Sequence, residues 1–204
     1  MRVTLLRHAP SRGNLLGQYI GSSDVGLCRE GRQLAESVAP RAEVQRVYTS
    51  GLRRSLQTAA ILYPGAEAIA CKDFDEMNFG RFEEKTWRDL EQDACYRAWV
   101  EAGCETACPG GESKAGFTER CVHSFRAVAD HEAASGAQEL HCVVHGGTIM
   151  AILSELALPM RDYFDWPSDF CGGYLLEYNS ACARERALQL LAAIRPKEKG
   201  EVQA

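Results

Sequence analysis

An arginine followed by a histidine, Arg7-His8, closes the apolar run Val3-Thr4-Leu5-Leu6 and opens the segment Ala9-Pro10-Ser11-Arg12-Gly13-Asn14. A guanidinium binds phosphate oxygens in a two-pronged way, and a neutral imidazole is a nucleophile that can accept a phosphoryl group. Side by side at the C-terminal edge of a strand, the two suggest a phosphate pocket with its own nucleophile. Alone, such a doublet is more often an ordinary pair on a solvated loop, so the reading depends on what the other segments add.

Three segments carry matching chemistry. Ser50-Gly51-Leu52 leads to Arg53 and Arg54, in the first turn of an expected helix whose N-terminus reinforces the attraction for anions. Ser50-Gly51 is expected to cap that helix. Val143-Val144-His145-Gly146-Gly147-Thr148 ends a strand in a histidine, and its two glycines let a ligand approach free N–H groups at a helix start. Phe74 to Gly80 supplies two carboxylates, Asp75 and Glu76. In a pocket beside phosphate and aromatic rings, one of them would favour its neutral form, protonate a leaving alkoxide and later take a proton from water. Residue types alone leave Arg53 against Arg54, and Asp75 against Glu76, undecided. His141 faces the same side of its strand as His145 but lies ~13 Å away at ~3.3 Å per residue, too far to share a metal.

These residues need a scaffold that gathers strand ends. Strands are expected at 2–7, 46–49, 66–71, 139–145 and 172–178, with 185–194 pairing with the last of these despite the helix propensity of Arg186 to Leu191. Helices are expected at 29–38, 52–62, 113–134 and 148–157, and 197–204 reads as a frayed tail. This alternation predicts an α/β fold: a three-layer α/β/α sandwich around a doubly wound, mostly parallel sheet. Ligands in such sheets sit at the carboxyl ends of strands. Residues 76–112, rich in aromatic and charged side chains, read as a small helical insertion and lid within a single domain spanning 1–204.

The net charge of −5 over 204 residues argues against nucleic acid or an anionic membrane as partner, while a local arginine cluster can still hold a small anion. Apolar runs fall far short of a span of ~20 residues, and Met1 leads directly into a strand, so a cytoplasmic protein is expected. Nine cysteines, at positions 28, 71, 95, 104, 108, 121, 142, 171 and 182, form no C-x-x-C pair and read as free, mostly buried thiols. Oligomeric state is not encoded in any of these features.

Taken in order, the segments resemble the histidine phosphatase superfamily, which includes cofactor-dependent phosphoglycerate mutases. The family's Leu-x-Arg-His-Gly-x-Thr-x-x-Asn pattern matches Leu5 to Asn14, with Ala9 for the usual glycine and Ser11 for the usual threonine. Its Ser-x-Leu-x-Arg-x-x-x-Thr-Ala element matches Ser50, Leu52, Arg54, Thr58 and Ala59; its Glu-x-x-x-Gly segment matches Glu76 and Gly80. Its strand-His-Gly-Gly matches His145 to Gly147. The resemblance implies that His8 becomes a phosphohistidine, that Arg7, Arg54 and His145 bind the transferring group, and that Glu76 is the general acid and base. It implies a substrate-phosphate lining from Ser11, Asn14, Gly21, Gly146 and Gly147. No cofactor and no metal are implied, since two arginines and two histidines supply the positive charge. His8 must then be neutral at its attacking nitrogen, with the other nitrogen held by a backbone carbonyl.

Within the family, Gly110-Gly111-Glu112-Ser113 and Asn78 to Glu83 look most like the α-ribazole phosphatase branch of cobalamin synthesis. The short stretch between Glu76 and Gly110 favours hydrolysis of a small phosphorylated metabolite over phosphoglycerate mutase chemistry, because water must reach the phosphohistidine. A non-catalytic phosphate-binding module would be expected to lack one of His8, Arg7, Arg54, Glu76 or His145, and none is lacking. Glu83-Glu84 stands where Glu-Gly is common, and the extra carboxylate is expected to reshape the pocket mouth. Arg12 is a candidate for contacting the outer substrate, or an ordinary solvated arginine. The reading predicts that His8→Ala retains the fold but loses both p-nitrophenyl phosphate turnover and any acid-labile phosphoenzyme. Wild-type rates in that variant would rule the nucleophile out.

Overall fold

The computed structural model of the chain describes residues 1–179 and 187–196. Its strands are β1 (Arg2–Arg7), β2 (Arg46–Thr49), β3 (Glu67–Ala70), β4 (Glu139–Val144), β5 (Ala157–Leu158), β6 (Gly173–Tyr178) and β7 (Leu188–Ile194). They form one sheet in the order β3-β2-β4-β1-β6-β7-β5. Strands β1 to β4 run parallel, and β6 is antiparallel to both β1 and β7. The helices are α1 (Arg12–Leu15), α2 (Arg29–Ser37), α3 (Arg53–Leu62), α4 (Trp87–Leu90), α5 (Ala94–Glu101), α6 (Lys114–Ala134) and α7 (Gly146–Leu156).

Alternation along the strands builds the layers. Leu6, Val47 and Val143 cluster with Ala59, Leu62 and Tyr63 of α3 on one face. Their sequence neighbours Leu5, Tyr48, Cys142 and Val144 join Phe117, Phe125 and Ile149, from α6 and α7, on the other. Adjacent residues point to opposite faces of a strand, so the central strands are buried on both sides, as a parallel sheet requires. The result is the expected α/β/α sandwich. Because β1, β2 and β4 are parallel neighbours, Arg7, Thr49 and Val144 all reach the same edge of the sheet.

The stretch 76–112 carries a 3₁₀ turn at Gly80–Phe82 followed by α4 and α5. Its Phe82, Leu90, Tyr96 and Trp99 are buried in the same cluster as Phe74 and Phe117. Thr86 and Asp89 cap α4 reciprocally, Asp93 caps α5, and Ser113 caps α6. Such caps satisfy N–H groups that have no partner within the helix.

Several expectations are corrected. Helix α3 has Leu52 at its N-cap with no side-chain cap; the Ser50 hydroxyl is engaged elsewhere, and Asp24 accepts from the Arg53 N–H at 2.7 Å. Helix α7 begins at Gly146 rather than 148, so both glycines lie inside its first turn. The segment after His8 is not all loop, because Ser11 and Asn14 cap each other around α1. One expectation holds: Leu188–Ile194 is the strand partner of β6, and that pairing overrides its helix propensity. Residues 185–186, the tail at 197–204 and Cys182 lie outside the described residues. The eight described cysteines are free; Cys108, Cys121, Cys142 and Cys171 are buried and Cys95 is exposed.

Glu84 does not reach the mouth of the pocket. Its side chain is exposed, and its backbone is pinned at φ 62° between Tyr19 and Gln18. The left-handed region costs a residue with a Cβ ~1–2 kcal/mol, which a glycine would not pay. Glu84→Gly is therefore expected to stabilise the fold by about 1 kcal/mol, read as a rise of ~2–4 °C in Tm for a chain of this size. An unchanged or lowered Tm would contradict the strain assignment.

Candidate active site

The C-terminal end of β1 is held on both sides. The Arg7 N–H donates to the Gly172 carbonyl at 2.8 Å and the His8 N–H to the Val144 carbonyl at 2.9 Å. His8 is buried, and its Nδ1 lies 2.6 Å from the Ala9 carbonyl oxygen. A carbonyl only accepts, so Nδ1 carries the proton and Nε2 keeps the lone pair for attack. Burial first, and the Arg54 guanidinium second, hold His8 well below the ordinary imidazole range, so it is neutral. The Ala9 N–H donates to Thr58 Oγ1 at 2.9 Å, and that hydroxyl donates to the Arg54 carbonyl at 2.7 Å. The nucleophile's loop is thereby stapled to α3. Ser11 spends its N–H and hydroxyl on Asn14 Oδ1, which leaves the Asn14 amide nitrogen for the cavity that Asn14 lines.

Arg54, fully buried, donates to the carbonyls of Ser23 at 2.8 Å and Gly21 at 2.7 Å, while Arg53 is exposed. Gly21 is packed against backbone: a Cβ there would overlap the Met77 carbonyl. Arg7 stacks 3.9 Å over the Phe170 ring and donates to the Ser168 carbonyl at 2.8 Å. His145 meets His8 edge-on, with ring centroids 4.9 Å apart, and its Nε2 lies 2.7 Å from Ser50 Oγ. Arg7 Nε, Arg54 Nε and His145 Nδ1 are buried without a hydrogen-bond partner. Buried polar groups left unpaired are rare, and three of them grouped around one imidazole form a receptor for an anion.

Glu76 lines the same cavity as Arg7 and His8. Its carboxylate accepts from the Met77 N–H at 3.0 Å and the Gly147 N–H at 2.9 Å. A Cβ on Gly147 would collide with that carboxylate, so glycine is required for the acid's approach to α7. The expectation of free N–H groups in this turn is therefore corrected at Gly147, whose N–H holds Glu76. Burial raises the Glu76 pKa against the opposing pull of those two N–H groups and of Arg54 and Arg7. Asp75, pushed up to about 6 by burial, does not line the cavity.

Sequence reasoning missed the clamp behind Glu76. Arg120 on α6 donates to the carbonyls of Asp73, Asp75 and Glu76 at 2.9, 2.8 and 3.1 Å, and grips Glu112 at 2.7 and 2.8 Å. The five donations are thus divided, three to the 73–76 loop and two to Glu112. Glu112 in turn accepts from the Asn78 N–H at 2.8 Å. An arginine one residue before buried Cys121, on the face that also carries Phe117, was the available signal. Glu83 is likewise structural, accepting from the N–H groups of Gly21, Ser22, Ser23 and Phe79. Arg12 is exposed and outside the cavity lining.

Arg7, His8, Asn14, Glu76, Gly146 and Gly147 line a cavity of about 520 Å³. Its outer wall is aromatic, from Tyr19, Phe79 and Trp99 on one side and Tyr163 and Phe164 on the other. The 159–170 segment had no assigned role in the sequence reading, although Phe164, Trp166 and Phe170 mark it as unusually apolar for a connection. Among the described residues, no group of three or more His, Cys, Asp or Glu side chains is placed to hold a metal ion, and no helix is long and apolar enough to cross a membrane.

A sandwich that gathers an arginine-histidine strand end, a buried arginine, a second histidine and an acid defines a phosphoryl-transfer site. The family model of the histidine phosphatase superfamily (branch 1) matches residues 3–191, and the chain belongs to that family. It is 29% identical over 163 residues to the adenosylcobalamin/α-ribazole phosphatase of Salmonella typhimurium, covering 76% of this chain and 79% of that protein. The α-ribazole phosphatase structure from Shigella flexneri superposes with a TM-score of 0.82 at 22% identity, covering 99% of this chain and 100% of that one. The phosphoserine phosphatase from Entamoeba histolytica, in complex with 3-phosphoglyceric acid, superposes with a TM-score of 0.77 at 23% identity over 97% of this chain and 98% of that one.

The pKa directions set a pH profile. If His8 attacks, as the family resemblance implies, it must be neutral, and activity is expected to fall only as pH drops through a value well below the ordinary imidazole range. If Glu76 is the general acid, as the resemblance also implies, it must be protonated, and activity is expected to fall as pH rises through its raised value. kcat/KM for an alkyl phosphate is therefore expected to peak on the acid side of neutrality. Glu76→Gln should lower it ~10²–10⁴-fold while sparing phosphoenzyme formation from p-nitrophenyl phosphate, whose leaving group needs no proton. Equal losses on both substrates would remove Glu76 from the acid role.

Proposed function

We propose that this chain is a phosphomonoesterase that hydrolyses a small phosphorylated metabolite through a phosphohistidine at His8, with α-ribazole 5′-phosphate, an intermediate of cobalamin synthesis, as its substrate. In the first step His8 Nε2 attacks phosphorus, the N–P bond forms and the P–O ester bond breaks. Glu76 gives its proton to the departing alkoxide. In the second, water attacks the phosphohistidine, Glu76 takes a proton from it, the N–P bond breaks and inorganic phosphate leaves. Arg7, Arg54 and His145 hold the equatorial oxygens, where charge develops. On this reading residues 1–204 act as one domain in the cytoplasm, and 76–112 forms one wall of the pocket over the substrate.

The observation that carries the substrate choice is the make-up of the outer cavity. Beyond the phosphate receptor, Tyr19, Phe79, Trp99, Tyr163 and Phe164 supply ring surface. The cation on that rim, Lys114, is ion-paired to Glu105 and lies 5.0 Å from the centre of the Tyr163 ring. A flat, uncharged benzimidazole riboside gains stacking there. The carboxylate of phosphoserine or 3-phosphoglycerate would instead compete with Glu105 for one ammonium group. Side-by-side turnover should favour α-ribazole 5′-phosphate over phosphoserine, 3-phosphoglycerate and sugar phosphates by ~10–200-fold in kcat/KM. Preference for a carboxylate-bearing phosphate would overturn the substrate. Slow hydrolysis with a requirement for a bisphosphate primer would mean phosphoglycerate mutase chemistry instead.

A further inference from the structure

Behind His145 lies a short chain of buried hydroxyls. Ser50 Oγ is 2.7 Å from His145 Nε2 and 2.8 Å from Ser55 Oγ, and it accepts from the Leu52 N–H at 3.2 Å. Ser55 Oγ is in turn 2.9 Å from the Leu52 carbonyl. Ser50 and Ser55 are both buried, and on the far side of the ring Nδ1 has no partner.

Each hydroxyl has one proton, so two arrangements are open. In one, His145 Nε2–H donates to Ser50, Ser50 to Ser55 and Ser55 to the Leu52 carbonyl, which leaves a lone pair at Nδ1. In the other, Ser55 donates to Ser50, Ser50 donates to Nε2, and Nδ1 carries the hydrogen. The Leu52 carbonyl does not need the Ser55 proton, because the N–H groups of Ser55 and Leu56 already donate to it at 2.9 and 3.1 Å. A lone pair at Nδ1 would repel the oxygens of a phosphoryl group held by Arg7 and Arg54. We propose that Ser50, backed by Ser55, is a positioning residue that locks His145 in the Nδ1–H tautomer and so makes it a neutral third donor to the transferring phosphoryl group.

A fixed tautomer is needed because protonating the ring is a poor alternative. Charged or polar neighbours reach His145 as Arg7 and His8 from the end of β1, Arg54 from α3 and Arg120 from α6, with Ser50 on Nε2. No carboxylate is hydrogen-bonded to its ring, and burial, Arg54 and His8 all oppose the imidazolium. The inference rests on the phosphoryl-transfer reading of the site, but the tautomer can be observed without turnover.

The test uses the full chain labelled with ¹⁵N-histidine. The wild-type His145 signals should report a protonated Nδ1 and an unprotonated Nε2, and Ser50→Ala should shift that population towards Nε2–H. Kinetically, Ser50→Ala should lose ~10²–10³-fold in kcat near neutral pH, the range seen when one preorganised donor is removed. Ser50→Thr, which keeps the hydroxyl, should restore tautomer and rate together. A wild-type ring protonated at Nε2, or a Ser50→Ala loss that leaves the tautomer unchanged or that Ser50→Thr does not restore, would overturn the proposal. If Ser50→Ala fails to fold, the wild-type and Ser50→Thr spectra still decide. The Nδ1–H signal with no phosphoester turned over would instead count against the hydrolase reading alone.

Discussion

The hydrogen bond from His8 Nδ1 to the Ala9 carbonyl, 2.6 Å long, leaves the lone pair on Nε2, the nitrogen that the proposed mechanism turns on phosphorus. It is made within two consecutive residues, yet it holds only if that peptide is fixed. The fixing is tertiary. β4 accepts the His8 N–H, the turn before β6 accepts the Arg7 N–H, and Thr58 on α3 accepts the Ala9 N–H. A nucleophile whose tautomer is set by backbone needs no titratable partner, so its reactivity does not depend on the protonation of a neighbour.

The same rigidity lets the site concentrate positive charge without a bound anion. Two guanidinium groups beside two imidazoles would disrupt a loose pocket. Here Arg54 is held by the carbonyls of Gly21 and Ser23, Arg7 by that of Ser168 and the face of Phe170, and both by the field of Glu76. Carbonyl partners orient a cation without neutralising it. The charge therefore remains available to the phosphoryl group, and both imidazoles beside it stay neutral. This is preorganisation in the electrostatic sense: donors already aimed where charge will develop.

The residues that the structure gathers at the strand ends were legible in the sequence because each sits at a junction with a local signature. Arg7-His8 and His145 follow apolar β runs, and Arg54 follows a helix start. Glu76 and Arg54 were separated from Asp75 and Arg53 only by the family resemblance, since burial (for the arginines) and a place on the cavity wall (for the acids) distinguish them, and neither is a local property. Residues that work by long-range contact left little trace. Arg120 lies 44 positions from the Glu76 carbonyl it holds, and Ser50 lies 95 positions from His145. The role expected of Ser50, capping α3, was displaced because its hydroxyl serves the histidine instead. The extra acid of Glu83-Glu84 misled for a related reason: Glu83 is consumed by four backbone N–H groups, and a left-handed backbone turns the Glu84 side chain to solvent.

Chemistry and selectivity are thus carried by different parts of the chain. The candidate phosphoryl receptor belongs to the strand ends and the segments just after them, whose geometry the sheet sets. The aromatic wall comes from Tyr19, from 76–112 and from 159–170, segments that pack on the sandwich without joining its parallel strands. Because Arg120 and Glu112 tie the acid's loop to α6, changes in the rings at 79 and 99 can alter what fits over the phosphate while Glu76 stays in register with His8. A fold divided in this way can keep one mechanism and change its leaving group, which is why the reaction class follows from the strand ends and the substrate must be argued from the wall.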